Sequence, residues 1–402
     1  MDVAIIGGGI AGMALACNLH DRGIGCRVYE AVPEVRELGV GITLLPHGMR
    51  ELAALGLQDR LLRLGIENET SAFFNRFGQK IYAEPRGRHA GYETPEVGIH
   101  RGRLHAALHE AARARIGADR IHLGHRLAGI EQEESGVTLR FAGGHTARAD
   151  VAIACDGVNS AVRRHFYPGE EVVFTGINTW RGVTRRAPIL GGRTYMRIGT
   201  LRMGKIVIYP IADEPDGEQL INWTTEIQSD TTARNDWNKP GRLEDFLPIY
   251  ADWRFDWLDV PQLLRDAETI FEYPMVDKDP VDRWTFGRVT FAGDAAHPMY
   301  PRGSNGSAQA LIDVRVLADL LAKEPDAQVA LRAYEAARAG PTAAVVRTNR
   351  SNPPDSLIAR VEELTRDQPF DDLDAIITQD ELRAISDRYK QVAGFALAPR
   401  KG

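Results

Sequence analysis

The sequence predicts an α/β fold: a domain built on a buried parallel sheet, split by an inserted β-rich domain and followed by C-terminal helices. Three observations predict it. The chain opens as strand, glycine turn, helix, strand. Its texture changes to short alternating runs bearing aromatics between about Thr175 and Pro274. A buried-strand pattern then returns at Val289–Ala292. With 402 residues, 44% hydrophobic and 26% charged, the chain has the length and composition of two to three globular domains.

Val3–Ile6 is an all-apolar run of the kind found in a strand buried on both faces, and Gly7-Gly8-Gly9 breaks it. Ile10–Asp21 has helical apolar spacing with a stop at Gly23, and Gly25–Glu30 reads as the second strand. Gly102–Arg115 is rich in helix formers. Val137–Phe141 alternates as a half-exposed strand, and Asp150–Ala154 reads as a buried strand stopped by Asp156-Gly157. The aromatics Trp180, Tyr195, Tyr209, Trp223 and Tyr273 mark the inserted sheet. Helices are expected over Ser307–Ala322 and Ala327–Arg350, the second kinked or broken at Gly340-Pro341, with a charged, partly helical tail beyond Pro354. The expected division is residues 1–174 and 276–350 for the split domain, 175–275 for the insertion and 351–402 for the tail.

Forty-nine basic against 55 acidic side chains give a net charge of −6 and, with it, a pI near 6.0, which argues against a general nucleic-acid surface. No run of about 18 apolar residues is present to cross a membrane. Cys17, Cys26 and Cys155 have no paired spacing for a disulfide framework or a zinc site, so no metal is expected. The first strand starts at Asp2, which leaves no room for a signal peptide, and a cytoplasmic location is expected.

Gly7-Gly8-Gly9-Ile10-Ala11-Gly12 fits G-x-G-x-x-G between a strand and a helix, the Rossmann-like arrangement in which glycine backbone approaches a pyrophosphate at a helix N-terminus. Glu30 ends the second strand 18 residues after Gly12, near the spacing of an acid that accepts hydrogen bonds from ribose hydroxyls. Such a carboxylate repels a 2′-phosphate, so the site suits NAD or FAD. Asp294 follows the strand Val289–Ala292, where a carboxylate faces the ligand crevice, and Gly303-Ser304-Asn305-Gly306 opens a helix whose amides can stabilise negative charge on a flavin. A plain NAD dehydrogenase leaves that second block unused. Asp156-Gly157 opens a further helix and alone reads as an ordinary turn.

Together, in this order and separation, the three blocks resemble the class A flavoprotein aromatic monooxygenases, the para-hydroxybenzoate hydroxylase-like family, over roughly residues 1–350. Gly39-Val40-Gly41-Ile42, His100-Arg101-Gly102, Trp180-Arg181-Gly182-Val183, Tyr273–Asp277 and Pro301–Gly306 are most similar to its 5-methylphenazine-1-carboxylate monooxygenase type. The resemblance implies non-covalent FAD, NADH or NADPH as co-substrate, and O2. It implies hydroxylation of a small aromatic or heteroaromatic ring, with loss of CO2 if a carboxyl-bearing carbon is attacked. A flavin C4a-hydroperoxide carries the chemistry in that family, so no catalytic side chain is expected. It places Gly7, Gly9, Ile10, Ala11 and Gly12 at the pyrophosphate and Glu30 and Ala31 at the ribose. Leu127 falls at the adenine, Arg101 at the diphosphate or ribityl region, and Asp156 at the motif linked to FAD and NAD(P)H. Asp294 falls at the ribityl chain or phosphate and Gly303–Gly306 at the isoalloxazine edge, with Gly41 and Ile42 also on the cofactor. Val314 stands where the family commonly has alanine.

The substrate side is expected from the inserted sheet and the loop beside it: Arg181, Arg202, Tyr209, Trp223 and Pro301, with Tyr195 as a further aromatic of the pocket. His297 and His47 read better as structural residues than as an acid or base. The alternatives are another FAD-dependent oxidoreductase, a reductase or halogenase, or a non-catalytic flavin sensor. Trp253 and Trp257 lack the Trp-x-Trp-x-Ile-Pro context of a flavin halogenase. A monomer or homodimer is expected.

Overall fold

The structure is a computed structural model and describes residues 1–34, 39–229, 239–351 and 355–397. Its first layer is a six-stranded sheet in the order Thr285–Phe286, Val289–Phe291, Val151–Ala154, Asp2–Ile6, Gly25–Tyr29, Ile121–His122. All neighbours are parallel except the first pair. The central strands are apolar because both faces of the sheet are covered, by helices such as Ile10–His20 and by a three-stranded antiparallel sheet of Leu127–Glu133, Gly136–Phe141 and Thr146–Ala149, whose Ile130, Val137 and Leu139 share the core; Val3, Ala4, Ile5, Val151, Ala152 and Ile153 are fully buried. From Asp2–Ile6 the chain goes first to one neighbour, Gly25–Tyr29, and later to the other, Val151–Ala154. The carboxyl end of Asp2–Ile6 is therefore the point where strand order reverses, the crevice in which open α/β sheets bind ligands.

The turn at that point is built for close approach. Gly7 has φ +103°, and a Cβ there would lie 2.4 Å from the Cys155 carbonyl oxygen. A Cβ on Gly12 would lie 2.0 Å from the Gly7 carbonyl oxygen. The helix Ile10–His20 can pack against this turn only because neither residue has a side chain.

The second layer is an eight-stranded sheet in the order Lys239–Pro240, Ile270–Asp277, Val173–Arg186, Gln219–Gln228, Gly204–Asp213, Thr194–Thr200, Thr70–Phe74, Lys80–Pro85. It is wider than the expected insertion, because Thr70–Phe74 pairs parallel to Thr194–Thr200 and brings Lys80–Pro85 with it. A small sheet of Gly41–Leu44, Val97–His100 and Gly65–Glu67 lies against it. The contact is close: Gly41 N–H donates to Asn222 Oδ1 at 2.7 Å, and a Cβ on Gly98 would sit 2.4 Å from the Pro210 carbonyl oxygen.

The expected helices form at Arg101–Ile116 and Gly306–Lys323. Ala327–Ser351 is one continuous helix, not two pieces broken at Gly340-Pro341; the Thr342 hydroxyl donates to the Arg338 carbonyl at 2.9 Å beside the proline. In the tail, Ser356–Thr365 and Gln379–Val392 are helices, the latter opened by a capping box of Thr378 and Glu381. They cover the edge strands of the large sheet, where Leu357, Ile358, Val361 and Leu382 pack on Phe73, Ile81 and Tyr82. Among the described residues no helix is long and apolar enough to cross a membrane.

Replacing Gly12 by alanine should overpack the turn and cost about 1–3 kcal/mol of stability, read as a lower urea midpoint. Gly143→Ala, where an added methyl meets nothing within 4 Å, should leave the midpoint unchanged; equal midpoints for both variants would contradict the packing account.

Candidate active site

A cavity of about 300 Å³ opens between the reversal point of the first sheet and one face of the second. On the first side it is lined by Gly9, Ile10 and Ala11 at the helix start, by Cys155 and Gly157, and by Asp294. Gly9 faces open space, since a Cβ there would meet nothing within 4 Å. Asp294 is exposed into the cavity from the turn Gly293–Ala295 after strand Val289–Phe291. Arg101, at the start of its helix, and Gly41 and Ile42 complete this rim.

The other expected crevice residues lie beyond or behind the lining. Gly7 and Gly12 shape the turn. Glu30 accepts from Gly8 N–H at 2.6 Å and Val32 N–H at 2.9 Å, which fixes its carboxylate at the end of the second strand beside Ala31. Leu127 starts the strand Leu127–Glu133 and packs, half-buried, on the main core. Asp156 accepts from Ala161 N–H (2.7 Å) and Val162 N–H (3.3 Å), so one oxygen caps the helix Ala161–Phe166 while Oδ1 has no partner among the described residues. Burial pushes this carboxyl above its ordinary range. In the loop at 303–306, Ser304 and Gly306 line the cavity. Gly303 turns toward Tyr389, whose oxygen is 1.9 Å from where a Cβ would be, and Asn305 is fully buried behind.

The facing wall is the large sheet, and its pleat decides which expected residues arrive. Arg181 pairs with Thr224 and Gly182 with Trp223. Since successive side chains alternate faces, Arg181 and Thr224 look into the cavity and Trp223 looks away. Trp223 is fully buried in the opposite core and donates its indole N–H to Thr184 Oγ1 at 3.0 Å. It is therefore not a cavity residue, contrary to expectation. Arg202 also misses the site: it lies in the turn between Thr194–Thr200 and Gly204–Asp213, 63% exposed, with Nε 2.7 Å from Glu362. Tyr209 and Pro301 do line the cavity. So does Tyr195, an expected pocket aromatic, together with Val207, Thr224 and Glu226, which were not among the expected site residues. Alternation along the strand from Tyr209 would have pointed to Val207.

Tyr195 and Tyr209 stack with ring centroids 4.9 Å apart, and burial pushes the Tyr209 phenol far up, so it stays protonated. Glu226 is paired with Lys205, whose Nζ donates to both carboxylate oxygens at 3.0 and 2.9 Å. The Arg181 guanidinium lies 5.5 Å over the Tyr273 ring, and its Nε has no hydrogen-bond partner among the described residues. Desolvation by burial lowers its pKa. A guanidinium buried in this way suits an anion that enters the cavity. No group of three or more His, Cys, Asp and Glu among the described residues is placed to hold a metal.

Two histidines near the site are held by structure. His297 bonds buried Asp313, and His47 Nε2 lies 2.8 Å from Asn305 Oδ1 while its ring stacks on Phe395. Burial above all lowers the His47 pKa to about 4.

The sequence matches the FAD binding domain family over residues 1–242 and 254–349. The chain belongs to this FAD-binding family. It is 40% identical over 362 residues, 87% of this chain and 89% of the other, to phenazine 1,6-dicarboxylic acid hydroxylase PhzS of Lysobacter antibioticus. It is 34% identical to 3-amino-4-hydroxybenzoate 2-monooxygenase PtmB3 of Streptomyces platensis, covering 84% of this chain and 83% of that one. Its fold matches Klebsiella pneumoniae HpxO complexed with FAD and uric acid at a TM-score of 0.74 and 22% identity, covering 98% and 93% of the two chains. The protein is an FAD-dependent monooxygenase of aromatic rings, using NAD(P)H and O2, with the para-hydroxybenzoate hydroxylase-like fold.

The low His47 pKa carries a pH dependence. The unfolded imidazole titrates near 6.5 and the folded one near 4, so folding favours the neutral ring. Its contribution is complete above pH 6.5 and is lost as pH falls toward 4; the loss amounts to about 2 kcal/mol by pH 5. Urea midpoints at pH 8 and pH 5 should fall further for the wild type than for His47→Gln; equal falls would refute the assignment.

Proposed function

We propose that the enzyme hydroxylates an aromatic or heteroaromatic carboxylic acid, held so that its carboxylate pairs with Arg181. The observation that carries this is the guanidinium on the wall opposite the glycine turn, desolvated and with Nε unpartnered, beside the Tyr195–Tyr209 stack. The two curated relatives described above are named for acids of this kind, a phenazine dicarboxylic acid and an aminohydroxybenzoate.

The chain's own residues fit FAD. The open side of Gly9 and the start of helix Ile10–His20 suit the pyrophosphate. Glu30 and Ala31 are proposed at the ribose, Leu127 at the adenine, Arg101 and Asp156 along the diphosphate side, and Asp294 at the polyol chain. Gly41, Ile42 and Ser304–Gly306 border the ring system, with Gly303 and Asn305 supporting that loop from behind. FAD, when bound, supplies the oxygen activation. The protein orients the ring and keeps water out: Val207, Tyr195, Tyr209 and Pro301 give an apolar wall, and Arg181 fixes which carbon faces the flavin. Attack at the carboxyl-bearing carbon balances as aromatic acid, O2, NAD(P)H and H+ giving phenol, CO2, water and NAD(P)+. We also place the enzyme in the cytoplasm, as a monomer or homodimer with no nucleic-acid partner, in keeping with three buried free cysteines and a pI near 6.0. Residues 1–174 with 276–350 are proposed as the cofactor unit, and 175–275, extended by 70–85, as the substrate unit.

With phenazine-1,6-dicarboxylic acid as probe, Arg181→Ala should raise KM about tenfold or more. It should also divert reducing equivalents to hydrogen peroxide while leaving FAD content intact. Unchanged KM and coupling would show that Arg181 is structural. Asp294→Ala should instead lower the FAD content of the purified protein, and full FAD retention would remove Asp294 from the cofactor site.

A further inference from the structure

A hydrogen-bonded chain of buried side chains runs behind the cavity and joins its two cofactor-facing loops. It begins at Gly293 N–H, which donates to Asp313 Oδ2 at 3.1 Å; His297 Nε2 bonds the same oxygen. Arg338 Nε donates to Asp313 Oδ1 at 2.7 Å, and its Nη2 donates to Gln309 Oε1 at 2.7 Å. Gln309 Nε2 donates to Asn305 Oδ1 at 3.2 Å and to the Ala393 carbonyl at 3.3 Å. Asn305 Oδ1 also meets His47 Nε2 at 2.8 Å. An amide oxygen can only accept, so His47 carries its proton on Nε2.

The sequence spacing explains the chain. Asn305, Gln309 and Asp313 are four residues apart, so they share one face of the helix Gly306–Lys323 and its N-terminus. Arg338 reaches across from the helix Ala327–Ser351. All the side chains are nearly or fully buried: Asp313 and Asn305 0%, His297 3%, Gln309 4%, His47 5%, Arg338 8%. None of them lines the cavity, but the chain's ends abut residues that do, Asp294 beside Gly293 and Ser304 and Gly306 beside Asn305. Burying a carboxylate and a guanidinium is costly unless the network is well satisfied, and apolar packing would serve mere stability as well. What this arrangement adds is a fixed spacing between the two loops.

We propose that Asp313, Arg338 and Gln309 are positioning residues that hold the Asp294 turn and the 303–306 loop in register for FAD, although none of them touches the cofactor. The inference rests on FAD occupying this crevice. Burial opposes ionisation of Asp313, but His297 and Arg338 outweigh it and hold the carboxyl below its ordinary range, so the chain keeps its charge at neutral pH.

The test compares the wild-type holoenzyme with Asp313→Asn and Gln309→Met, reading FAD dissociation constant, the visible absorption bands of bound flavin, and thermal midpoint. Gln309→Met keeps the Asp313–Arg338 pair and the local volume but severs the link to Asn305. FAD binding about tenfold weaker, together with shifted flavin bands, is expected in both variants. If Asp313→Asn fails to fold, Gln309→Met decides alone. Wild-type FAD affinity and spectrum in Gln309→Met, whatever its thermal midpoint, would overturn the positioning role. A wild-type protein without FAD would instead overturn the cofactor reading itself.

Discussion

The site depends on the contact between the Gly7 turn and the end of strand Val151–Ala154. The Cys155 N–H donates to the Ile6 carbonyl at 2.7 Å and the Gly7 N–H to the Tyr29 carbonyl at 2.8 Å, so three parallel strands are locked at their carboxyl ends. No side chain fits between Gly7 and Cys155. With the strands held this closely, the start of helix Ile10–His20, the Asp156 turn and the Asp294 turn converge on one crevice. Widening that contact would separate the three turns that converge on the crevice.

The second sheet supplies what the first cannot. A parallel sheet covered on both faces offers ligands an edge, whereas an aromatic ring needs a broad surface. The long strands Val173–Arg186, Gly204–Asp213 and Gln219–Gln228 provide one, and their two faces differ in kind. One face buries Trp180, Ile206, Ile208 and Trp223 in a purely hydrophobic core. The other carries Arg181, Tyr195, Tyr209 and Glu226 toward the cavity. Below that face, Lys205 links Glu226 to Asp355 at 2.7 Å, which satisfies buried charge while leaving Arg181 available to a ligand.

The crevice at the strand ends was legible in the sequence because its signals are local. Glycines at fixed offsets, an acid at the end of the next strand and a glycine-rich helix start each follow from turn chemistry within a few residues. The facing wall was legible only as a region. Which of its residues reach the cavity depends on pairing register, and one step separates Trp223 in the core from Thr224 at the site. Arg202 had the right chemistry but sits in a hairpin turn, where its charge finds Glu362 on a tail helix instead. The recruitment of Thr70–Phe74 had no local signal, because it is set by packing between segments distant in sequence; the four-residue spacing of Asn305, Gln309 and Asp313 puts them on one helix face, but their link to Arg338 depends on how a second helix packs. At Gly340-Pro341 the local rule pointed to a kink or a break; the helix runs on without a break, with Tyr334 and Arg338 buried before the proline and Val345 and Val346 after it.

The central claim is that this crevice brings an aromatic acid, FAD and O2 together so that one oxygen atom enters the ring. Isotope labelling reads that event directly. The holoenzyme is turned over under 18O2 with NAD(P)H and the aromatic acid that most stimulates NAD(P)H oxidation, and the product is analysed by mass. The account predicts a phenol carrying a single 18O atom. A hydroxyl oxygen derived from unlabelled water, or hydrogen peroxide as the only oxygen-derived product, would contradict it.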